Sequence, residues 1–387
     1  MSDQINAGQH GRDHIFLAAV FLLAGLGLVT LYSSSYAFAK KFFSDGLYFF
    51  SHQIKLGIGG ILLLFAASLI DLELLRKFIK PLVFGCIILC VLTFVPGIGV
   101  QKNGAARWIG FGSYTFQPSE LVKLVLPLYL AHILEKKKDD IDIVLRGLIP
   151  PALITGVFFG LIFMQNNIST AIFLALNALI MFFLAGVKFR YFFSAVLMFV
   201  PTAAMLILKK EHRVMRFLSY IQPEFEPLGA GYQVHASILT ISSGGFWGKG
   251  IGQGTRKISS VPEVHSDFIF SSFAEESGFL GVILFALLFT VFAVRGFASS
   301  MANEKPFNRL LGCGLVTMIL SQVLLNIAVV SGSLPATGVP LPFFSAGGSS
   351  LLTTMAMAGL VLNISRFSKK TSGANGSWNV TSAAGDN

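Results

Sequence analysis

VPEVHSDFIFSSFAEESGFLGVILFALLFTVFAV, Val261 to Val294, changes character half-way along. From Gly281 onward it is the apolar, uncharged body of a membrane-crossing helix. Its first half instead holds Pro262, Glu263, His265 and Asp267, with Glu275 and Glu276 about two turns deeper. An ionisable side chain at membrane depth is costly and by default marks a functional site with a partner group. The stretch therefore says that the chain lives in a bilayer, and where polar chemistry enters it.

Composition agrees. Of 387 residues, 54% are hydrophobic and 12% charged, where a soluble chain carries about a quarter charged; mean hydropathy is +0.72. Windows of about 17–25 apolar residues begin near Ile15, Ile54, Phe78, Ser119, Leu148, Ile168, Tyr191, Phe268, Leu310 and Gly347. The expected fold is an all-α polytopic membrane protein of about ten transmembrane helices, with a large extracytoplasmic loop before the eighth. Residues 1–14 form a short polar segment, 15–367 the membrane domain, and 368–387 a Gly/Ser/Asn-rich tail expected to be disordered. The first apolar run is longer than a signal-peptide core and is taken as an anchor. Cys86, Cys90 and Cys313 lie in apolar segments and are expected to be packing residues.

Short loops carry the cations Arg76 and Lys77, Lys136 to Lys138 with Arg146, Lys188 and Arg190, and Arg295, Lys305 and Arg309. With ten spans these fall on one side, together with Arg12 and the tail's Lys369 and Lys370, and the positive-inside rule makes that side cytoplasmic. The long loop, residues 209–266, is on the other side and is also basic, with Arg213, Arg216, Lys249 and Lys257. Cations there run against the topological bias and suit anionic headgroups or a phosphate-bearing substrate. Within the loop, GYQVHASILTISSGG has Val234, Ile238 and Ile241 on one helical face and is expected on the membrane surface. The following GGFWGKGIGQGTRK is glycine-dense and basic, which would let backbone amides approach an anion.

Three constellations could carry chemistry. In FQPSELVKLVLPLYL, Glu120 and Lys123 are at i and i+3, so they share a helix face and can pair. Asp267 stands where the eighth span begins, with Ser266 or Asp267 suited to cap it; Glu275, eight residues on, continues a polar stripe inward. LPATGVPLPFFSAGGSS, Leu334 to Ser350, has three prolines and three glycines and cannot form a regular helix; irregular backbone at membrane depth is tolerated only where protein buries it or it lines a cavity. Asn326, in the preceding span, also needs a partner. No set of residues has metal-ligand spacing.

WIGFGSYTFQPSELVK, GYQ followed by SGG, WGKG and GQGTRK, VPEVHSDFIF, and LPATGVPLPFFSAGGSSL stand in an order and spacing that resembles the SEDS family, the shape, elongation, division and sporulation proteins FtsW and RodA. The ending, GGSSLL then GLVLNISR, is closer to the FtsW branch. The resemblance covers nearly the whole chain and implies a peptidoglycan glycosyltransferase of the bacterial inner membrane, with both termini cytoplasmic. It would polymerise lipid II, a disaccharide-pentapeptide on undecaprenyl pyrophosphate, at the outer face. It implies Asp267 as catalytic residue, Glu120 and Lys123 as its support, and a class B penicillin-binding transpeptidase and other division proteins as partners; no nucleic acid is involved. Two departures stand out. Gln165-Asn166-Asn167 replaces the family's Q-P-D, and Ser345-Ala346-Gly347-Gly348 replaces S-Y-G-G.

Such a reaction needs a base for the acceptor hydroxyl, which one carboxylate can supply, and cations for the leaving pyrophosphate, either side chains or a divalent ion, Mg2+ or Mn2+. No organic cofactor is expected. Asp267 is the expected base; Arg213, Arg216, Lys249, Lys257, Glu275 and Ser345 are candidate substrate contacts. Two other classes compete: a lipid flippase, which should place charge along the whole transbilayer path, and a non-catalytic division scaffold, which would not need Asp267.

Overall fold

The computed structural model describes residues 13–102, 104–112, 114–141, 143–193, 197, 230–254 and 266–367. Its helices are α1 (His14–Phe43), α2 (Tyr48–Leu69), α3 (Leu72–Lys77), α4 (Ile79–Leu92), α5 (Pro118–Lys136), α6 (Ile149–Met164), α7 (Ile168–Leu184), α8 (Ala230–Ser243), α9 (Ile269–Met301), α10 (Pro306–Val330) and α11 (Gly348–Ser365). Among the described residues, six helical segments are long and apolar enough to cross a membrane, and Ile79–Leu92 and Ile168–Leu184 are shorter apolar helices. Local chemistry sets several boundaries. Asp13 caps α1 through the Phe16 amide at 3.0 Å, and Asp71 caps α3 through the Glu73 amide at 2.9 Å. Prolines at 118 and 306 open α5 and α10, where a missing N–H is harmless.

The bundle is built around α5, which packs against α4, α7, α10 and α11. Glu120 and Lys123 of α5 therefore face protein rather than lipid. At one face of the bundle, ion pairs tie helix ends together: Arg76 to Glu135 at 2.5 Å, Lys305 to Glu73 at 3.0 Å and Arg295 to Asp13 at 2.9 Å. The Lys305 hydrogen bond, with the charges of Lys305 and Arg76, holds the Glu73 carboxyl below its ordinary value. Of the loop cations expected on one side, Arg76, Arg295 and Lys305 meet at this end of the bundle, the basic face; Arg12, Lys369 and Lys370 lie outside the described residues.

At the opposite face lies an element outside the all-helical expectation, a three-stranded antiparallel sheet in the order β1 (Gly99–Lys102), β2 (Ala105–Phe111), β3 (Tyr114–Phe116). The strands are too short and too close to an apolar span to stand out from it. Asn103-Gly104 is the available signal, since that pair favours a two-residue hairpin turn; Gly104 has φ 71°.

Each expected span except the seventh meets a helix at its place; the seventh, from Tyr191, lies mostly outside the described residues. The second starts at Tyr48, earlier than expected, and the eighth runs on to Met301. Helix α8 forms where expected but presents a different face. Ala236, Ser237 and Thr240 are buried, Ile238 is exposed, and the Ser237 hydroxyl donates to the Val330 carbonyl at 2.8 Å. It rests on α9 and α10 through Ala236, Ser237 and Thr240, with Val234 and Ile241 of the expected face partly buried against the core.

Candidate functional site

The site face is organised by α10. Two of its side chains, one helical turn apart, reach the irregular segment that precedes α11. Asn326 Nδ2 donates to the carbonyls of Asp267 and Val339, both at 2.8 Å. Gln322 Nε2 donates to the Pro340 carbonyl at 2.8 Å. Ser345 fastens the same segment from the other end: its hydroxyl donates to the Ser266 carbonyl at 2.7 Å and accepts from the Leu341 amide at 2.8 Å. The backbone that no regular helix could satisfy is thus satisfied by side chains, as burial demands.

Asp267 is half-exposed, with the Ser266 hydroxyl 3.1 Å from its Oδ1. It does not cap α9, which begins two residues later, with Phe268 in the N-cap position and no side-chain cap. A Cβ placed on Gly338 would lie 3.3 Å from Asp267 Oδ2 and 3.9 Å from Arg107 Nη1. The carboxylate and a guanidinium from β2 therefore both come close to one glycine of the 334–347 segment.

Glu120 and Lys123 pair at 2.8 Å, and both are buried, 4% and 1% exposed. Lys123 Nζ also donates to Gln322 Oε1 at 3.0 Å and lies 5.7 Å from the centre of the Phe173 ring. Gln322 therefore joins the ion pair to the Pro340 segment, and Asn326, one turn on, joins that segment to Asp267. Sequence reasoning marked Asn326 as needing a partner but passed over Gln322, a single amide in an otherwise apolar helix.

Glu275 is fully buried and meets Lys249 Nζ at 2.6 Å, with the Ser243 hydroxyl 3.2 Å from the same oxygen. Glu276 accepts from the Ser33 hydroxyl of α1 at 2.5 Å and from the Gly252 amide at 3.1 Å. The glycine-dense loop lies along a break in α9 at Gly278, whose φ and ψ are 63° and −166°. The amides of Lys249 and Gly250 donate to the carbonyls of Glu275 and Glu276, and those of Phe279 and Leu280 to Gly245 and Phe246. Its glycines permit backbone against backbone: a Cβ on Gly248 would fall 2.2 Å from the Glu276 carbonyl oxygen.

This order of polar elements is matched by known proteins. A family model described as a cell cycle protein, FtsW/RodA/SpoVE, matches residues 13–370. The chain belongs to the FtsW/RodA/SpoVE family. A relative from Geobacter sp. (strain M18), a probable peptidoglycan glycosyltransferase FtsW, is 37% identical over 92% of this chain and 97% of its own. Stage V sporulation protein E of Bacillus subtilis is 34% identical over 92% of this chain and 98% of its own. Among solved structures, a chain from work on the structural coordination of polymerization and crosslinking by a peptidoglycan synthase complex aligns with TM-score 0.75 and 31% identity, over 92% of this chain and 98% of that one. Thermus thermophilus RodA aligns with TM-score 0.67 and 27% identity, over 93% and 98%.

Within this FtsW/RodA/SpoVE fold, the structure brings together Asp267, Ser345 and, through α10, Lys123 and Glu120. It brings Lys249 and Glu275 together as a second, separate pair. Arg213, Arg216 and Lys257 lie outside the described residues. Gln165 Nε2 donates to the Cys90 carbonyl and the Thr93 hydroxyl at 3.0 and 3.1 Å, so the family-variant Gln-Asn-Asn turn anchors α6 to the end of α4. Cys86, Cys90 and Cys313 are buried and unbridged. Arg107 went unremarked in the sequence.

Proposed function

We propose that this chain is a peptidoglycan glycosyltransferase that polymerises lipid II, acting at the outer face of the bacterial inner membrane with the basic face in the cytoplasm. The naming of its relatives supports the activity. The observation that carries the residue assignment is the half-exposed Asp267 carboxylate, whose backbone is held by Asn326 on the helix that also receives the buried Lys123–Glu120 pair.

In the step proposed, Asp267 takes the proton of the acceptor sugar hydroxyl while that oxygen attacks the donor's anomeric carbon from the face opposite the lipid pyrophosphate. A single base and a displaced leaving group give inversion. The charged lipid carriers stay at the membrane surface and their prenyl chains in lipid. Asn326, Gln322 and Ser345 do not react; they hold Asp267 and the 334–347 segment in register. Among the described residues no cluster of three or more His, Cys, Asp or Glu side chains is set to hold a metal ion. Mg2+ or Mn2+ would enter with the pyrophosphate and offset its charge. The family resemblance, and the neighbour's link to a peptidoglycan synthase complex, support a class B transpeptidase as partner, with division as the process served.

The test is polymerisation of labelled lipid II by the purified chain with its cognate transpeptidase, comparing wild type with Asp267→Asn. Glycan from the first and none from an equally folded second is expected. Equal product from both would remove Asp267 from the chemistry. No product from either, with the partner and divalent ion supplied, would return the flippase and scaffold readings.

A further inference from the structure

Two contacts between α1 and α9 mark levels across the bundle. At the basic face Asp13 meets Arg295 at 2.9 Å and the Ser299 hydroxyl at 3.1 Å. Toward the other face Ser33 meets Glu276 at 2.5 Å. Between Asp13 and Ser33 the helix rises about 30 Å, the thickness of a hydrocarbon core. Helix α1 does not stop there. It runs on to Phe43, about 15 Å further, so its last turns and the connection to α2 lie among and above the headgroups of the site-face leaflet.

This hairpin is built as an interfacial element. Tyr36 lies against the turn, where a Cβ on Gly46 would fall 2.5 Å from its ring. The rings of Phe43 and Tyr48 stack across the turn at 4.3 Å. Tyr36, Phe42, Phe43 and Tyr48 are all exposed, and tyrosines exposed at this level belong to the belt between hydrocarbon and water.

Its charges set it apart from the rest of the molecule. Lys40 and Lys41 close the last turn of α1 and are exposed; Lys55 is exposed two turns into α2. At the basic face Arg76, Arg295 and Lys305 each hold a carboxylate. Among the described residues, Lys40, Lys41 and Lys55 hold none. Asp45, the carboxylate of the turn, instead accepts the Leu47 amide at 2.9 Å. With the basic face in the cytoplasm, three lysines around a short connection on the other side also run against the positive-inside bias. An anion from outside the chain would answer both observations.

We propose that the α1–α2 hairpin holds the phosphate groups of anionic phospholipids in the site-face leaflet. Lys40 and Lys41 meet them as point charges, and Lys55 reaches up from below along its aliphatic stem. The grip bears on the site, because Gln53, on the buried face of α2, donates to the Ser345 carbonyl at 3.2 Å. Headgroup attachment thus sets the height of a helix that fastens the 334–347 segment.

The test uses the full chain in nanodiscs of phosphatidylcholine, alone or with phosphatidylglycerol of the same acyl chains. The readout is hydrogen exchange of the backbone amides of residues 40–50. Phosphatidylglycerol should slow exchange in the wild type. Lys40→Gln with Lys41→Gln should remove most of the slowing, since each lysine is worth roughly five-fold at an anionic surface; Lys40→Arg with Lys41→Arg should keep it. Both side chains are exposed, so exchange in the other helices should match the wild type. Equal exchange with and without phosphatidylglycerol, or slowing that survives the glutamine pair, overturns the assignment. So does slowing that needs undecaprenyl pyrophosphate or the transpeptidase in pure phosphatidylcholine and does not come with phosphatidylglycerol. The first would give the hairpin to the lipid carrier, the second to a protein.

Discussion

Glu120 and Lys123 show what one pair of residues can declare in advance. Their spacing puts them on one helix face, and two opposite charges on an apolar helix must meet or be lost to lipid; the observed contact is 2.8 Å. What spacing could not declare is the acceptor on the far side, Gln322 on α10, because a contact between helices about 200 residues apart in sequence leaves no local pattern. The arrangement separates a structural pair from a working one. Lys123→Met leaves a buried carboxylate without its cation and should destabilise the fold by about 3–5 kcal/mol. Glu120→Gln with Lys123→Met removes both charges, and such replacements are often neutral, so the thermal unfolding midpoint in detergent should recover. Polymerase activity should not recover, since Lys123 also sets Gln322 and, through it, the Pro340 segment beside Asp267. A double variant with both stability and activity restored would make the pair scaffolding only.

At the scale of elements, the helices were legible from apolar length, and the break inside α9 was not. FAEESGFLGV carries no proline, and a glycine among small and acidic residues is unremarkable in a helix. Gly278 nevertheless has a backbone conformation essentially reserved for glycine, and a Cβ there would fall 2.2 Å from the Gly248 amide nitrogen. The glycine-dense loop was legible as special but for a different use: its amides answer carbonyls that the broken helix releases. Two elements distant in sequence therefore depend on each other. Gly278→Ala, which in a plain helix would gain about 1 kcal/mol, should here destabilise and loosen the loop. The check is limited proteolysis, with faster cleavage between Phe246 and Gly252 than in wild type. Slower cleavage with a raised unfolding midpoint would mean that α9 straightens without penalty and that the loop does not rely on the break.

For the whole molecule, the alternation of faces carries the functional reading, because the proposed reaction puts Asp267 and its substrate on the outer side. Ion pairs gather Asp13, Glu73, Arg76, Glu135, Arg295 and Lys305 at one face. The sheet, Asp267 and the 334–347 segment lie where the opposite ends of α1, α5, α9 and α11 meet. Charge bias alone pointed to this division from the sequence; the sheet that supplies Arg107 was hidden, since its three short strands carry no apolar length of their own. Helix α1, 30 residues long and so about 45 Å, is longer than the roughly 30 Å hydrocarbon core and joins the two faces. Asp45 is exposed just beyond its far end, whereas Lys138 is exposed beyond the basic end of α5. The three native cysteines are buried, so a cysteine introduced at either position can be labelled over a low background. A membrane-impermeant maleimide added to intact spheroplasts should modify Asp45→Cys, and Lys138→Cys only after permeabilisation. The reverse pattern would turn Asp267 toward the cytoplasm, where the acceptor of an outer-face polymerisation could not reach it.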